Sequence, residues 1–296
     1  MRKILFILSL FSFLQIAAQQ DFQIFKIRKY KVATLSDELR ETSGLQLLNG
    51  RLYTFNDGGN TSEIFEINPK NGEVLHRIKT GLENFDWEAM TSDDENFYIG
   101  DFGNNWGTRK DLKVYRIPLQ HNSEIMEKDP DSIGFYYPDQ TEFIKKPQAN
   151  NWDAESMIYK HGNLHIFTKE WQSYHTSHYR IFPDRSDSAQ PAEKLETFNL
   201  GFMATDADYY QDELYVIGYT HKMEIYLSIF EEDENGLFFS KQPEKYYLGQ
   251  STALGQIEGI AVDKAGIYIS GEKFYSPIKK TKPFFYFIPI EKLKNN

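Results

Sequence analysis

The 296-residue sequence predicts an all-β protein, a β-propeller of five four-stranded blades whose ring is closed by the N-terminal strand. Three observations carry that expectation. Aromatic residues make up 16% of the chain and come with 19 glycines and 11 prolines, the mixture of many short strands punctuated by turns. A short unit, an acidic or hydroxyl residue followed by a small one and usually an apolar one, recurs five times, and each copy leads into a β-rich run. Further strand-like runs follow each copy in register, giving four strands in four of the units and three in the last. Four-stranded units repeated radially make a propeller, which leaves only short, protected edges.

In chain order, the first element is a leader. Arg2 and Lys3 precede an apolar run over residues 4–14 and the small pair Ala17-Ala18. This is the pattern of a secretory signal peptide over residues 1–18, because the run is shorter than the roughly 20 residues that span a bilayer. The protein is therefore expected to be exported, to the periplasm or beyond the cell, with no membrane span once the leader is cut. Residues 22–296 are expected to form a single domain. Within them, residues 22–27 or 30–35 supply a strand with no partner of its own, which is assigned to the last sheet.

The repeat starts are Ser43-Gly44-Leu45, Glu88-Ala89-Met90, Glu155-Ser156-Met157, Asp206-Ala207-Asp208 and Glu258-Gly259-Ile260. Second strands begin at Leu52, Phe97, Leu164, Leu214 and Ile267. The fourth of these comes one residue early, which predicts a shorter hairpin there. Third strands are expected over residues 64–68, 112–117, 178–182, 224–230 and 284–288. Four of them end at or beside Pro69, Pro118, Pro183 or Pro289, where no ladder donor is needed. Fourth strands are expected over 74–79, 133–137, 195–200 and 244–248; the fifth copy has none, and the N-terminal strand fills the gap. The long interval between the second and third copies leaves six blades as the alternative. Two packed β-sandwiches would also give strands, but not one tripeptide at one register.

Composition narrows function. With 43 acidic and 33 basic residues the net charge is −10, which argues against a protein that holds nucleic acid or an anionic membrane surface through a basic face. Cysteine is absent, so disulfides, thiolate metal sites, a lipobox and a cysteine nucleophile are excluded. No P-loop, Rossmann fingerprint, serine elbow or helical zinc pair is present. His161 and His165 are four apart but straddle a turn and a strand, and are read as structural.

In a propeller the innermost strands line a central channel, and the loops entering them open on the same face as the loops joining second to third strands. The repeated first position therefore gathers Glu88, Glu155, Asp206 and Glu258 at one channel mouth, with Ser43 as the neutral fifth member. Carboxylates so gathered raise one another's pKa unless a cation sits among them, and calcium, which accepts six to eight oxygens, is the natural divalent ion. The alternative is a structural staple, each acid accepting backbone N–H bonds from its surroundings; repetition in every blade favours that reading. Around the same mouth, Asn104, Arg109, Lys169, His175, His221 and Lys273, rimmed by Trp106, Trp171, Tyr174 and Tyr219, would seat an anionic or sugar-like ligand. The run Asn56-Asp57-Gly58-Gly59-Asn60 reads as a tight turn. Glu88 with Asp101, and Glu258 with Glu272, pair a strand-start acid with an acid at a second strand's end.

At these residues a resemblance is visible. Asp86-Trp87-Glu88-Ala89-Met90, followed by residues 98–105, and Ile257-Glu258-Gly259-Ile260-Ala261 resemble blade starts of secreted bacterial propellers akin to esterase-like phytases, and of NHL and gluconolactonase-type propellers. The likeness spans most of the chain as a repeat pattern and is specific in these two segments. It implies a calcium- or other divalent-metal-dependent hydrolase of a phosphoester, ester or lactone, with Glu88, Asp101 and Glu258 in catalytic roles, or else a non-catalytic binding propeller. A gluconolactonase-type metal ring uses Glu with Asn and Asp from different blades, whereas this ring is mostly Glu and repeated. The partner is expected to be a small-molecule or envelope ligand, and the protein a monomer.

Overall fold

The computed structural model describes residues 22–119, 131–185, 189–275 and 280–294. The expected leader lies outside the described residues. Five sheets, each built on four antiparallel strands, follow one another along the chain and stand as blades around a common axis, and Gln190–Pro191 adds a short parallel edge to the second. The first holds Thr42–Leu48, Arg51–Asn56, Glu63–Ile67 and Val74–Lys79, and the second Trp87–Ser92, Asn96–Asp101, Lys113–Pro118 and Asp131–Tyr136. The third holds Ala154–Lys160, Asn163–Thr168, His175–Ile181 and Glu193–Asn199, and the fourth Met203–Tyr210, Glu213–Tyr219, Glu224–Glu231 and Glu244–Gln250. The fifth comprises Gln256–Val262, Gly266–Glu272 and Phe284–Pro289, completed by Lys31–Thr34. Each blade's innermost strand touches that of the next, and the fifth touches the first. Among the described residues the long second interval holds the second blade's outer strand and a loop, with no sixth sheet.

Both N-terminal runs are used. Lys31–Thr34 pairs antiparallel with Phe284–Pro289 and closes the ring, while Gln23–Ile24 runs parallel to the outer strand of blade four. Between them Phe25 and Ile27 are buried in the wedge between blades four and five, where Phe25 stacks on Tyr30 with ring centroids 5.5 Å apart. The opening segment thus ties the last two blades together.

Burial follows the same geometry. Five apolar clusters each fill one gap between neighbouring blades. Large rings serve this purpose because two twisted sheets diverge outward and leave a widening wedge. Phe55 of blade one meets Trp87 of blade two edge-on at 5.7 Å, and Tyr98 of blade two stacks on Tyr159 of blade three at the same separation.

Every inner strand carries a β-bulge. The unpaired residues are Gly44, Glu88, Glu155, Thr205 and Glu258. This corrects the register expected from the repeat, in which Ser43 and Asp206 stood in line with the three glutamates: Ser43 lies one residue before its bulge and Asp206 one after. The fourth hairpin is not short. It matches the third, each closing through a two-residue turn. His161-Gly162 and Gln211-Asp212 in those turns all have positive φ, as does Asn49-Gly50 in the first blade, the geometry whose twist suits a tight hairpin. No helix among the described residues is long and apolar enough to cross a membrane.

Candidate functional site

The bulge residue and the residue two before it share a face of the inner strand, so acids at both positions reach the same space. Blade two supplies Asp86 and Glu88, blade three Asp153 and Glu155, and blade five Gln256 and Glu258. Blade four has Met203 and Thr205 there, and blade one Thr42 and Gly44, so the chemistry is concentrated in three blades. Asp57, from the loop after the second strand of blade one, joins them.

Asp57, Asp86 and Glu88 form the tightest group: one carboxylate oxygen from each lies within 4.8 Å of the other two. Their backbone is held firmly. Asn84 donates its amide to the carbonyls of Asn56 and Asp57 at 3.1 and 3.2 Å, and its side-chain oxygen accepts the N–H of Trp87. Asp101 lies beneath, accepting the N–H groups of Phe85 and Asp86 and pairing with Arg109 at 2.9 Å. Two glycines make room. A Cβ on Gly58 would collide with the Asp86 carboxylate, and one on Gly103 with the carboxylates of both Asp86 and Glu88. Burial first, and then the neighbouring acids, push Asp86 up to about 7 and Glu88 well above the usual carboxylate range. Burial likewise raises Asp57 to about 6, although its own carboxylate accepts the Gly58 N–H and Lys169 opposes the shift.

The opposite half of the mouth contains Lys169, whose Nζ is 2.6 Å from both oxygens of Glu155 and lies over the rings of Trp171 and Tyr219 at 4.4 and 5.4 Å. Burial works against its charge, but Glu155 above all holds the ammonium pKa well above its usual value. Gln256 donates its amide at 2.6 Å to both Glu258 and Glu272. Burial lifts Glu258 to about 7 against the pull of Lys169, and burial, helped by Glu258, lifts Glu272 well above the usual carboxylate range. Asp153 is committed to fixed donors, the Asn104 N–H and the Trp171 indole, each at 2.6 Å. The mouth therefore gathers more buried carboxyl groups than Lys169 can offset, and their raised pKa values hold part of them protonated near neutrality.

The structure brings together Glu88, Glu155, Glu258 and Lys169 of the residues expected from sequence. Asp206 stands apart, and the four-acid ring is corrected accordingly: its carboxylate accepts the N–H groups of Ala207 at 2.8 Å, Ile260 at 2.7 Å and Leu45 at 3.3 Å, stapling blades four, five and one. Asn104 accepts the Arg109 N–H and donates to the Trp152 carbonyl, so it shapes its loop. Arg109 is taken up by Asp101, Asp111 and the Gly103 carbonyl. His221 bonds the Trp171 carbonyl at 3.2 Å, His175 sits in a ladder opposite Asn199, and Lys273 turns toward the exposed ring of Tyr275. Sequence reasoning missed Asp86 and Asp153 as members of the site, although the D-x-E spacing common to blades two and three was a usable signal. It also missed Gln256. Nothing local distinguishes Asp57 from a turn residue.

His165 and His178 are structural, as expected for the former. Their rings meet at 2.7 Å, His178 also bonds Glu196, and burial pushes His165 down to about 2.

No family model matches this sequence, and no curated protein matches it. Among solved structures it is similar to the glutaminyl cyclase of Myxococcus xanthus, at 12% identity over 86% of this chain and 94% of that one, with a TM-score of 0.47. It is also similar to an exo-β-1,3-galactanase from Phanerochaete chrysosporium, at 9% identity over 88% and 64%, with a TM-score of 0.51. A candidate 6-phosphogluconolactonase from Bacteroides uniformis aligns at 12% identity over 88% and 72%, with a TM-score of 0.38. Identities this low speak to the fold alone. The propeller stands, in keeping with the resemblance carried by the blade starts.

Proposed function

We propose that the protein is an exported propeller that holds a divalent cation, calcium, on Asp57, Asp86 and Glu88, and hydrolyses a phosphoester, ester or lactone at the channel mouth. One observation carries this reading: three carboxylates from two blades converge within 4.8 Å, in a cradle that two glycines keep open. An all-carboxylate set with no nitrogen or sulfur suits a hard cation. The raised pKa values of the same acids fit, since they describe a negative cluster lacking its counter-charge.

A bound divalent ion would supply Lewis acidity and a more acidic water. The remaining roles fall to the chain's own side chains. Glu258, poised at about 7, is suited to exchange a proton near neutrality, and Gln256 fixes its orientation. Lys169 supplies the positive charge beside it, positioned by Glu155 and the Trp171 ring. Asp101 with Arg109 anchors the backbone that presents Asp86.

The test is a calcium titration of the chelated protein by calorimetry, followed by assays with a phosphate ester, a carboxylic ester and a lactone in calcium and in chelator. Heat of binding and a higher melting temperature are expected, both lost in Glu88→Gln and Asp57→Asn. No heat and no thermal shift would sink the metal site. Binding without turnover of any of the three substrates would leave a binding propeller instead of a hydrolase.

A further inference from the structure

Outside the mouth, the loops over residues 107–112 and 136–143, with Ala189 at one side, form the walls of an open pocket of about 350 Å³ on the flank of blade two. Its lining is mostly rings and aliphatic groups: Leu112, Phe135, Tyr136, Pro138 and Phe143. The walls are tied to one another, with Gln140 donating to the Gly107 carbonyl at 3.0 Å and the Phe135 N–H to the Leu112 carbonyl at 3.0 Å. Such a space is ready before a ligand arrives, so little ordering entropy opposes filling it.

Two cations border it, and they differ. Arg109 is already taken up by Asp101 and Asp111. Lys110 is exposed and forms no ion pair among the described residues; its Nζ lies 4.5 Å from the centroid of the Phe143 ring, on the cavity wall. An ammonium held against an aromatic wall favours an anion, because a neutral occupant would strip part of its water and return nothing.

We propose that this cavity is a second ligand site, separate from the acidic mouth, and that it takes a small flat anion of the aromatic carboxylate class. The ring slides between the aromatic and aliphatic walls, and the carboxylate meets Lys110 at the lip. The acidic mouth, by contrast, repels such a ligand.

Benzoate and its neutral isostere benzamide test this on the mature protein, by calorimetry or ligand-observed magnetic resonance. Benzoate should bind at a single saturable site, about tenfold or more tighter than benzamide. Lys110→Gln should bring benzoate to the level of benzamide, and Phe143→Ala should weaken both. Lys145→Gln removes a lysine that lies over Trp106, away from the cavity, and should leave binding unchanged. Both Lys110 and Phe143 lie on loops and are not core residues, and matching melting curves will confirm that the variants are folded. No saturation at millimolar benzoate, equal binding of benzamide, or an equal loss in Lys145→Gln would overturn the proposal.

Discussion

Glu88 illustrates how much a single side chain is worth at the mouth. It is buried among Asp57, Asp86 and Glu155, so without a cation its charge is a liability, and in the proposed metal site it would serve as a ligand. Glu88→Gln keeps the shape and removes the charge. The metal-free variant should melt above the parent near neutral pH, and calcium should no longer raise its melting temperature; scanning calorimetry with and without chelator checks both. Tyr137 presents the reverse case, a neutral group in the wrong place. Its hydroxyl is buried without a hydrogen-bond partner among the described residues, so Tyr137→Phe should stabilise the fold by about 1 kcal/mol, the cost of an unsatisfied donor, as measured by denaturant unfolding. At this scale repetition in the sequence exposed the glutamates, while Asp86 and Asp153 were missed although their D-x-E spacing from Glu88 and Glu155 was there to be read. Asp57 was hidden because its neighbours, glycines and asparagines, are also what a plain turn requires.

Among the elements, the bulge in each inner strand decides which residues reach the channel mouth. Because every blade carries the bulge, it keeps a fixed spacing of nine residues to the second strand in blades two to five, counted from Glu88, Glu155, Thr205 and Glu258. The early second strand of blade four was therefore the signal that Asp206 was out of line, whereas Ser43 keeps the nine-residue spacing and only the ladder separates it from the bulge at Gly44. The consequence for Asp206 is testable. Asp206→Ala strips the acceptor from N–H groups in three blades, so it should cost on the order of 3 kcal/mol in unfolding experiments while leaving the calcium response intact. Loss of calcium binding with normal stability would place Asp206 in the metal centre after all. The hairpins tell a similar story: residues such as His161-Gly162 are readable as tight turns, but equal hairpin lengths in blades three and four emerged only once the strands were paired.

For the whole molecule, stability should depend on pH in a direction set by the mouth. The folded-state pKa values of Asp57, at about 6, and of Asp86 and Glu258, at about 7, all lie above those of an unfolded carboxylate. Between about pH 4 and 7 the folded chain therefore binds more protons, and the stability these groups contribute is full in acid and lost as pH rises through 6 to 7. On the proposed reading calcium must displace those protons to bind, so it should raise the melting temperature more at about pH 8 than at about pH 5. An equal shift at both values would show that the ion binds elsewhere. Ring closure makes a second prediction at this scale. Deleting residues 22–35 removes the last strand of blade five and the segment packed between blades four and five, so cooperative unfolding should disappear; a truncated protein that melts like the parent would refute this role. The sequence by itself determined the all-β class, the five-fold repeat, the strand order within each blade and the acidity of one face, because strand periodicity, proline placement and residue type are local properties of the chain. Tertiary structure decided which N-terminal run closed the ring, which acids met and which were spent on backbone, because those outcomes depend on bulges and on residues that lie far apart in sequence being brought around a common axis.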